Sequence, residues 1–193
     1  MTFRIFISFF LLIGLSACGR KNLAHNRYFN VDSLISRQVE HLTVKSPSVT
    51  KTITINNLEE ALVIKPDSAS WAHELGIFRY LDILNKPIYA TAYTLADGVK
   101  DNHSNLTLRI YRPTQPVPIR EFKLYYQDSF EKIRRIEATM EESNSLYFSR
   151  RNFVLTFDDR PEKAALQSYA VNGFQKMIMG DTVWFSLSAR LVY

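Results

Sequence analysis

Few residues of this 193-residue chain combine a type and a spacing that could do chemistry. Cys18 is the only cysteine, so an internal disulfide is excluded, and no neighbouring base or second ligand makes it a nucleophile or a metal centre. The histidines His25, His41, His73 and His103 are scattered; Glu74 follows His73, but no second histidine completes a zinc motif, so no metal is expected. Asp158-Asp159 and Glu141-Glu142 could each supply half of an acid/base pair, yet adjacent strand residues point apart and both doublets fall where turns are expected. Lys132, Arg134, Arg135, Arg150 and Arg151 fall on two stretches that would form a hairpin around Asn144. Glu131, Glu137, Glu141 and Glu142 are interleaved with them, which predicts cross-strand ion pairs on a solvent face rather than an anion site. No catalytic set emerges, and the chain reads as non-enzymatic.

The elements that would position these residues begin with an address. Met1-Thr2-Phe3-Arg4 carries one positive charge and no acid, and an apolar run from Ile5 to Leu15 follows, interrupted only by Ser8 and Gly14. Such a run rises about 16 Å as a helix, far short of the ~30 Å hydrocarbon core. It therefore reads as the h-region of a signal peptide, not as a permanent span.

Directly after it, Leu15-Ser16-Ala17-Cys18 resembles the lipobox of bacterial lipoprotein precursors. The resemblance implies cleavage before Cys18, a diacylglyceryl thioether on that cysteine and acylation of the new amine. This covalent diacylglycerol and N-acyl chain would be the only non-protein groups, with no other cofactor. Two or more chains, each contributing ~0.8 kcal/mol per buried CH₂, make a lasting anchor where one would be marginal. The organisation expected is a signal peptide over 1–17, a lipidated tether over 18–30 and one globular domain over 31–193. Gly19 after the cysteine, in place of the inner-membrane retention Asp, and Arg20-Lys21, in place of an acidic surface-export run, imply an outer-membrane lipoprotein facing the periplasm of a Bacteroidota-like envelope.

The net charge of +5 falls to +4 once Arg4 is removed, too mild an excess and too unclustered for nucleic acid. Ten Tyr and thirteen Phe against six Gly bias the composition toward strands. Helical spacing of Val31, Leu34, Ile35, Val39 and Leu42, capped by Asp32 or Ser33, predicts one helix. Pro66-Asp67-Ser68, followed by Trp71, Leu75, Phe78 and Leu81 and stopped by Pro87, predicts a second.

Elsewhere the period drops to two. Alternation over 49–55, 88–92, 106–110, 122–126, 136–140, 153–157 and 183–191 predicts seven or more strands. Turn chemistry separates them at Asp97-Gly98, 101–105, 127–129, 142–144, 158–161 and Gly180-Asp181, which predicts antiparallel meanders. Three prolines over 113–118 predict an edge or a crossing in the sheet. The fold class is therefore α+β: an N-terminal helix and a second helix packed on a largely antiparallel sheet, half-barrel or sandwich-like.

Tyr125-Tyr126, Tyr147-Phe148 and Trp184-Phe185 put aromatic rings on both faces of the strands. Either helices cover one face and a second layer the other, or one face is a groove for a lipid or a partner. The order of elements is similar to the periplasmic carriers of the LolA and LppX type, whose half-barrels cradle acyl chains. That likeness implies an apolar cavity lined by residues such as Phe122, Leu124, Phe153 and Phe157. The other expectation is a binding module that meets an envelope protein or a glycan through an exposed sheet face. Asp32-Ser33-Leu34, Asp67-Ser68-Ala69 and Asp181-Thr182-Val183 resemble the O-glycosylation sequon of some Bacteroidota, which would modify Ser33, Ser68 and Thr182, although capping and turn formation also favour Asp-Ser/Thr there.

Overall fold

The computed structural model describes residues 28–158 and 165–193. Cys18 with the expected signal peptide and tether up to residue 27, His25, and residues 159–164, which include Asp159 of the expected turn, lie outside the described residues. Within them the fold is α+β, built on one nine-stranded antiparallel sheet. Helix α1 (Val31–Lys45) leads into the hairpin β1 (Ser48–Ile55) and β2 (Leu58–Ile64). Helix α2 (Ser68–Glu74) and a 3₁₀ helix (Gly76–Asn85) follow. A continuous meander then runs through β3 (Tyr93–Lys100), β4 (Thr107–Pro113), β5 (Ile119–Gln127), β6 (Ser129–Ser143), β7 (Tyr147–Phe157), β8 (Leu166–Met177) and β9 (Thr182–Val192). Strand β9 returns beside β1, giving the order β2-β1-β9-β8-β7-β6-β5-β4-β3.

One face of this sheet supplies the core. Phe122, Ala138, Phe153 and Val171 stand opposite one another across four strands, as do Leu124, Ile136, Leu155 and Tyr169. They share a single buried cluster with Leu34, Ile35 and Leu42 of α1, with Trp71, and with Phe78, Leu81 and Leu84 of the 3₁₀ helix. Phe78 meets Phe153 and Tyr169 edge-on, each at 5.9 Å between ring centroids. Gly173 lies on the same face, where a Cβ would stand 2.0 Å from the Arg150 carbonyl oxygen. Only glycine permits that approach of β8 to β7.

Several expectations are corrected by local chemistry. The cap of α1 is Asn30, whose Oδ1 accepts the Ser33 N–H at 2.7 Å, while Asp32 pairs with Arg79 instead. The second helix stays α-helical only to Glu74, and from Gly76 it tightens to 3₁₀ form. Leu75, Phe78, Leu81 and Leu84 recur every three residues and are all fully buried, so the tighter winding stacks them on one stripe. Residues 88–92 are not a strand: after Pro87 the N–H groups of Ala90 and Ala92 bond to the Pro87 and Tyr89 carbonyls, which removes them from any ladder.

Asp97-Gly98 is a bulge inside β3 rather than a turn; Gly98 takes φ 74 and the register shifts between Ala96 and Val99. The proline-rich stretch links the neighbours β4 and β5, and Pro113 closes β4 opposite Tyr93, so it marks neither an edge nor a crossing. Strands β2, β3 and β8 are additional to those read from alternation. At one edge of the sheet, β2 carries exposed Glu59 and Glu60, a charge placement that opposes edge pairing.

Candidate functional site

The face of the sheet that the helices leave uncovered carries a polar ladder. Thr54, Ser186, Asn172, Asn152 and Thr139 stand opposite one another across β1, β9, β8, β7 and β6. Each precedes or follows a core-facing residue by one position, so pleating turns it outward. Thr139 Oγ1 donates to Asn152 Oδ1 at 3.0 Å, and Asn152 Nδ2 donates to Asn172 Oδ1 at 3.2 Å. The relay leaves the exposed Asn172 amide nitrogen turned to solvent with both of its protons unused by the described residues.

Two residues further along each strand, Trp184 stands opposite Phe174, and Phe174 opposite Arg150. The Phe174 ring lies 4.8 Å from Trp184 and 5.8 Å from Phe148, forming an aromatic stripe over three strands beside the amide ladder. Glu141 holds the Arg150 guanidinium at 3.4 Å and that of Arg120 at 2.8 Å. Together Thr54, Arg150, Asn152, Asn172, Phe174 and Trp184 line a cleft of about 490 Å³. It combines flat apolar rings with amide and guanidinium donors, a lining complementary in chemistry to a molecule with one apolar and one hydroxyl-bearing face.

Other polar clusters tie the fold together. Lys51 bonds both oxygens of Glu74 at 2.7 and 2.8 Å, and the Tyr169 hydroxyl donates to the same carboxylate at 2.9 Å, joining α2 to the covered face. Burial, and then the Glu74 charge, push the Tyr169 hydroxyl far above its ordinary range, so it remains a donor. At the β3 bulge, Asp97 accepts from Arg109, from Tyr126 at 3.0 Å and from the Gly98 N–H at 2.9 Å. The Arg109 hydrogen bond holds the Asp97 carboxyl below the usual range.

The expected basic set resolves into ion pairs and caps. Lys132 pairs with Asp128, Arg135 with Glu137 and Arg151 with Glu142, while Arg134 donates to the Asp158 carbonyl and to Gln127. The hairpin around Asn144 forms as read, with Asn144 Oδ1 accepting the N–H groups of Leu146 and Tyr147. Phe122, Leu124, Phe153 and Phe157 all lie in the packed core.

Ser33 lies in the first turn of α1 with its hydroxyl accepting from Arg37; Ser68 is exposed at the start of α2; Thr182 opens β9 half-buried. His41 rests beside the Tyr193 ring, His73 borders a groove of about 1020 Å³ along the outer side of the helices, and His103 is exposed in the β3–β4 turn. No three acidic, histidine or cysteine residues among those described could share a metal ion.

Alternation alone did not single out the cleft. Its signals are Asn152 and Asn172, residues disfavoured in mid-strand, Asn152 between Arg151 and Phe153 and Asn172 between Val171 and Gly173. Comparison with known proteins returned no match to any family model, curated protein or solved structure.

Proposed function

We propose that this protein is an envelope lipoprotein, anchored through acylated Cys18 at the periplasmic face of the outer membrane, that binds a glycan without catalysis. The observation that carries the binding role is the cleft beside Trp184 and Phe174. Aromatic faces accept the C–H side of a sugar ring, and the amides of Asn152 and Asn172 with Arg150 offer the donors and acceptors its hydroxyls need. The finer architecture is read as a half-barrel closed by its helices, a reading supported by the Gly173 approach and by the shared core.

A carrier of acyl chains, similar to the LolA and LppX type, has less support. The residues that would line its cavity, Phe122, Leu124, Phe153 and Phe157, are at most 4% exposed, with Phe122 packed against Phe29 and Phe153 against Phe78.

The test is mass spectrometry of the protein purified from its native envelope, followed by calorimetric titration with soluble peptidoglycan and lipopolysaccharide oligosaccharides. A diacylglyceryl, N-acylated Cys18, no stoichiometric free lipid, and a saturable titration weakened by Trp184→Ala and Asn172→Ala are expected. Loss of a stacking ring worth ~0.5–1.5 kcal/mol corresponds to roughly two- to tenfold weaker binding. A stoichiometric co-purifying lipid would transfer the role to the carrier, and an unmodified Cys18 would remove the anchor. The same spectra read any sugar on Ser33, Ser68 or Thr182.

A further inference from the structure

Beyond the cleft, the sheet ends in apolar side chains that the core does not use. The turns of the β1–β2, β6–β7 and β8–β9 hairpins lie side by side at one end of the strands. The Ile178 N–H donates to the Leu146 carbonyl at 3.0 Å, and the Asn56 N–H to the Trp184 carbonyl at 2.8 Å, tying the three tips into one rim. On it Met179 is 96% exposed, Leu58 79%, Ile178 67% and Leu146 66%. Single exposed apolar residues are ordinary, but four long ones on adjoining turns, where polar residues and glycine are the norm, form a contact surface. Lys176, at the end of β8, and Asp181, just before β9, flank Ile178 and Met179 in the chain.

We propose that this rim seats in the surface of the lipid bilayer, with Leu58, Leu146, Ile178 and Met179 entering the boundary between headgroups and acyl chains. The inference rests on the lipoprotein reading for where the membrane lies. Tyr28 packs edge-on against Tyr93 and Tyr111 at 5.5 and 5.6 Å, and its hydroxyl donates to the Ala90 carbonyl. Tyr93 pairs with Pro113 at the start of β3, and Ile119 with Met140 near the β6–β7 turn, so Tyr28 stands at the same end of the strands as the rim. Cys18 precedes it by ten residues, a span of at most about 36 Å when extended. An acylated Cys18 thus keeps the bilayer within reach of the end that carries the apolar tips. The β3–β4 turn, with Asn102 and His103, lies at the other end. Exposed apolar hairpin tips flanked in the chain by charged residues suit a lipid surface, where apolar groups enter and polar ones stay at headgroup level.

Acylation consumes the only native thiol, so Met179→Cys places a single free thiol on the rim and Asn102→Cys places one at the far end. Each variant is expressed as the full chain, purified from the envelope, labelled with an environment-sensitive fluorophore and reconstituted into phosphatidylethanolamine/phosphatidylglycerol vesicles. The label at 179 is expected to shift to the blue and to be quenched by doxyl-labelled acyl chains, while the label at 102 keeps its aqueous emission. Adding Ile178→Glu and Leu146→Glu is expected to abolish the quenching with one label per chain retained. Aqueous emission at 179 would overturn the proposal. So would a blue shift that doxyl lipids leave untouched, which would assign the rim to a second copy of the chain. Two labels per chain would show Cys18 unacylated, a failure of the anchor alone, and quenching at 179 on a Cys18→Ser background then decides the rim separately.

Discussion

Replacing Phe153 by alanine separates a solid interior from a ligand cavity on the covered face. Phe153 is 1% exposed, stands between Ala138 and Val171 on the neighbouring strands, and meets Phe78 edge-on at 5.9 Å. In a closed core its removal forfeits the transfer of a buried aromatic side chain and leaves a void, a cost of roughly 3–5 kcal/mol. The edge-on contact with Phe78 places the value toward the upper part of that range. For a domain of this size each kcal/mol lowers Tm by about 2–4 °C, so a fall of roughly 6–20 °C is expected. Urea titration followed by fluorescence reads the change, because Trp71 is fully buried beside the same core. The midpoint should drop with the slope unchanged, as for a loss of stability without a change in the surface exposed on unfolding. Had Phe153 lined an acyl-chain cavity, one face of its ring would already lack packing partners in the empty protein. A loss below about 1 kcal/mol, the range of sites away from the core, would refute the filled-core reasoning.

Gly173→Ala forces a Cβ to within 2.0 Å of a backbone oxygen, so β7 and β8 must shift; a loss of at least ~2 kcal/mol in the same titration is expected. Lys51→Met strands the Glu74 carboxylate among largely buried groups and should cost ~3 kcal/mol, while the double variant Lys51→Met/Glu74→Gln, which removes the charge but keeps an acceptor for the Tyr169 hydroxyl, should regain most of it. The folded Asp97 carboxyl is held below its unfolded value, so the stability it contributes is complete above ~pH 4 and fades as pH falls through the folded value. Asp97 is partly solvated, which limits this to under ~1 kcal/mol, and acid titration of Arg109→Met should show the step reduced, since the Tyr126 and Gly98 hydrogen bonds remain.

Much of the fold follows from local pattern. The strict alternation of Phe122-Leu124-Tyr126 and Phe153-Leu155-Phe157 places alternate side chains on opposite faces whatever the strands meet, because pleating has a period of two. Asn144 closes its hairpin through hydrogen bonds to its own neighbours. The α1 stripe of Leu34, Ile35 and Leu42 is legible for the same reason: helical spacing and burial agree. Where local patterns compete, the sequence is ambiguous. Residues 88–92 alternate like a strand but obey Pro87, and Asp97-Gly98 has turn chemistry that a bulge uses equally well.

Tertiary structure alone decided what those pieces do together. Alternation orients Asn152 and Asn172 but does not say that they stand opposite each other, since register across β7 and β8 depends on the whole sheet. The same register brings Trp184 against Phe174 and ties Ile178 to Leu146, contacts between residues from 10 to 32 positions apart in the chain. The address proposed at Cys18 rests on sequence alone, because a cleavage and lipidation signal is read as an extended string of residues. The cleft and the rim exist only where strands distant in sequence close one surface.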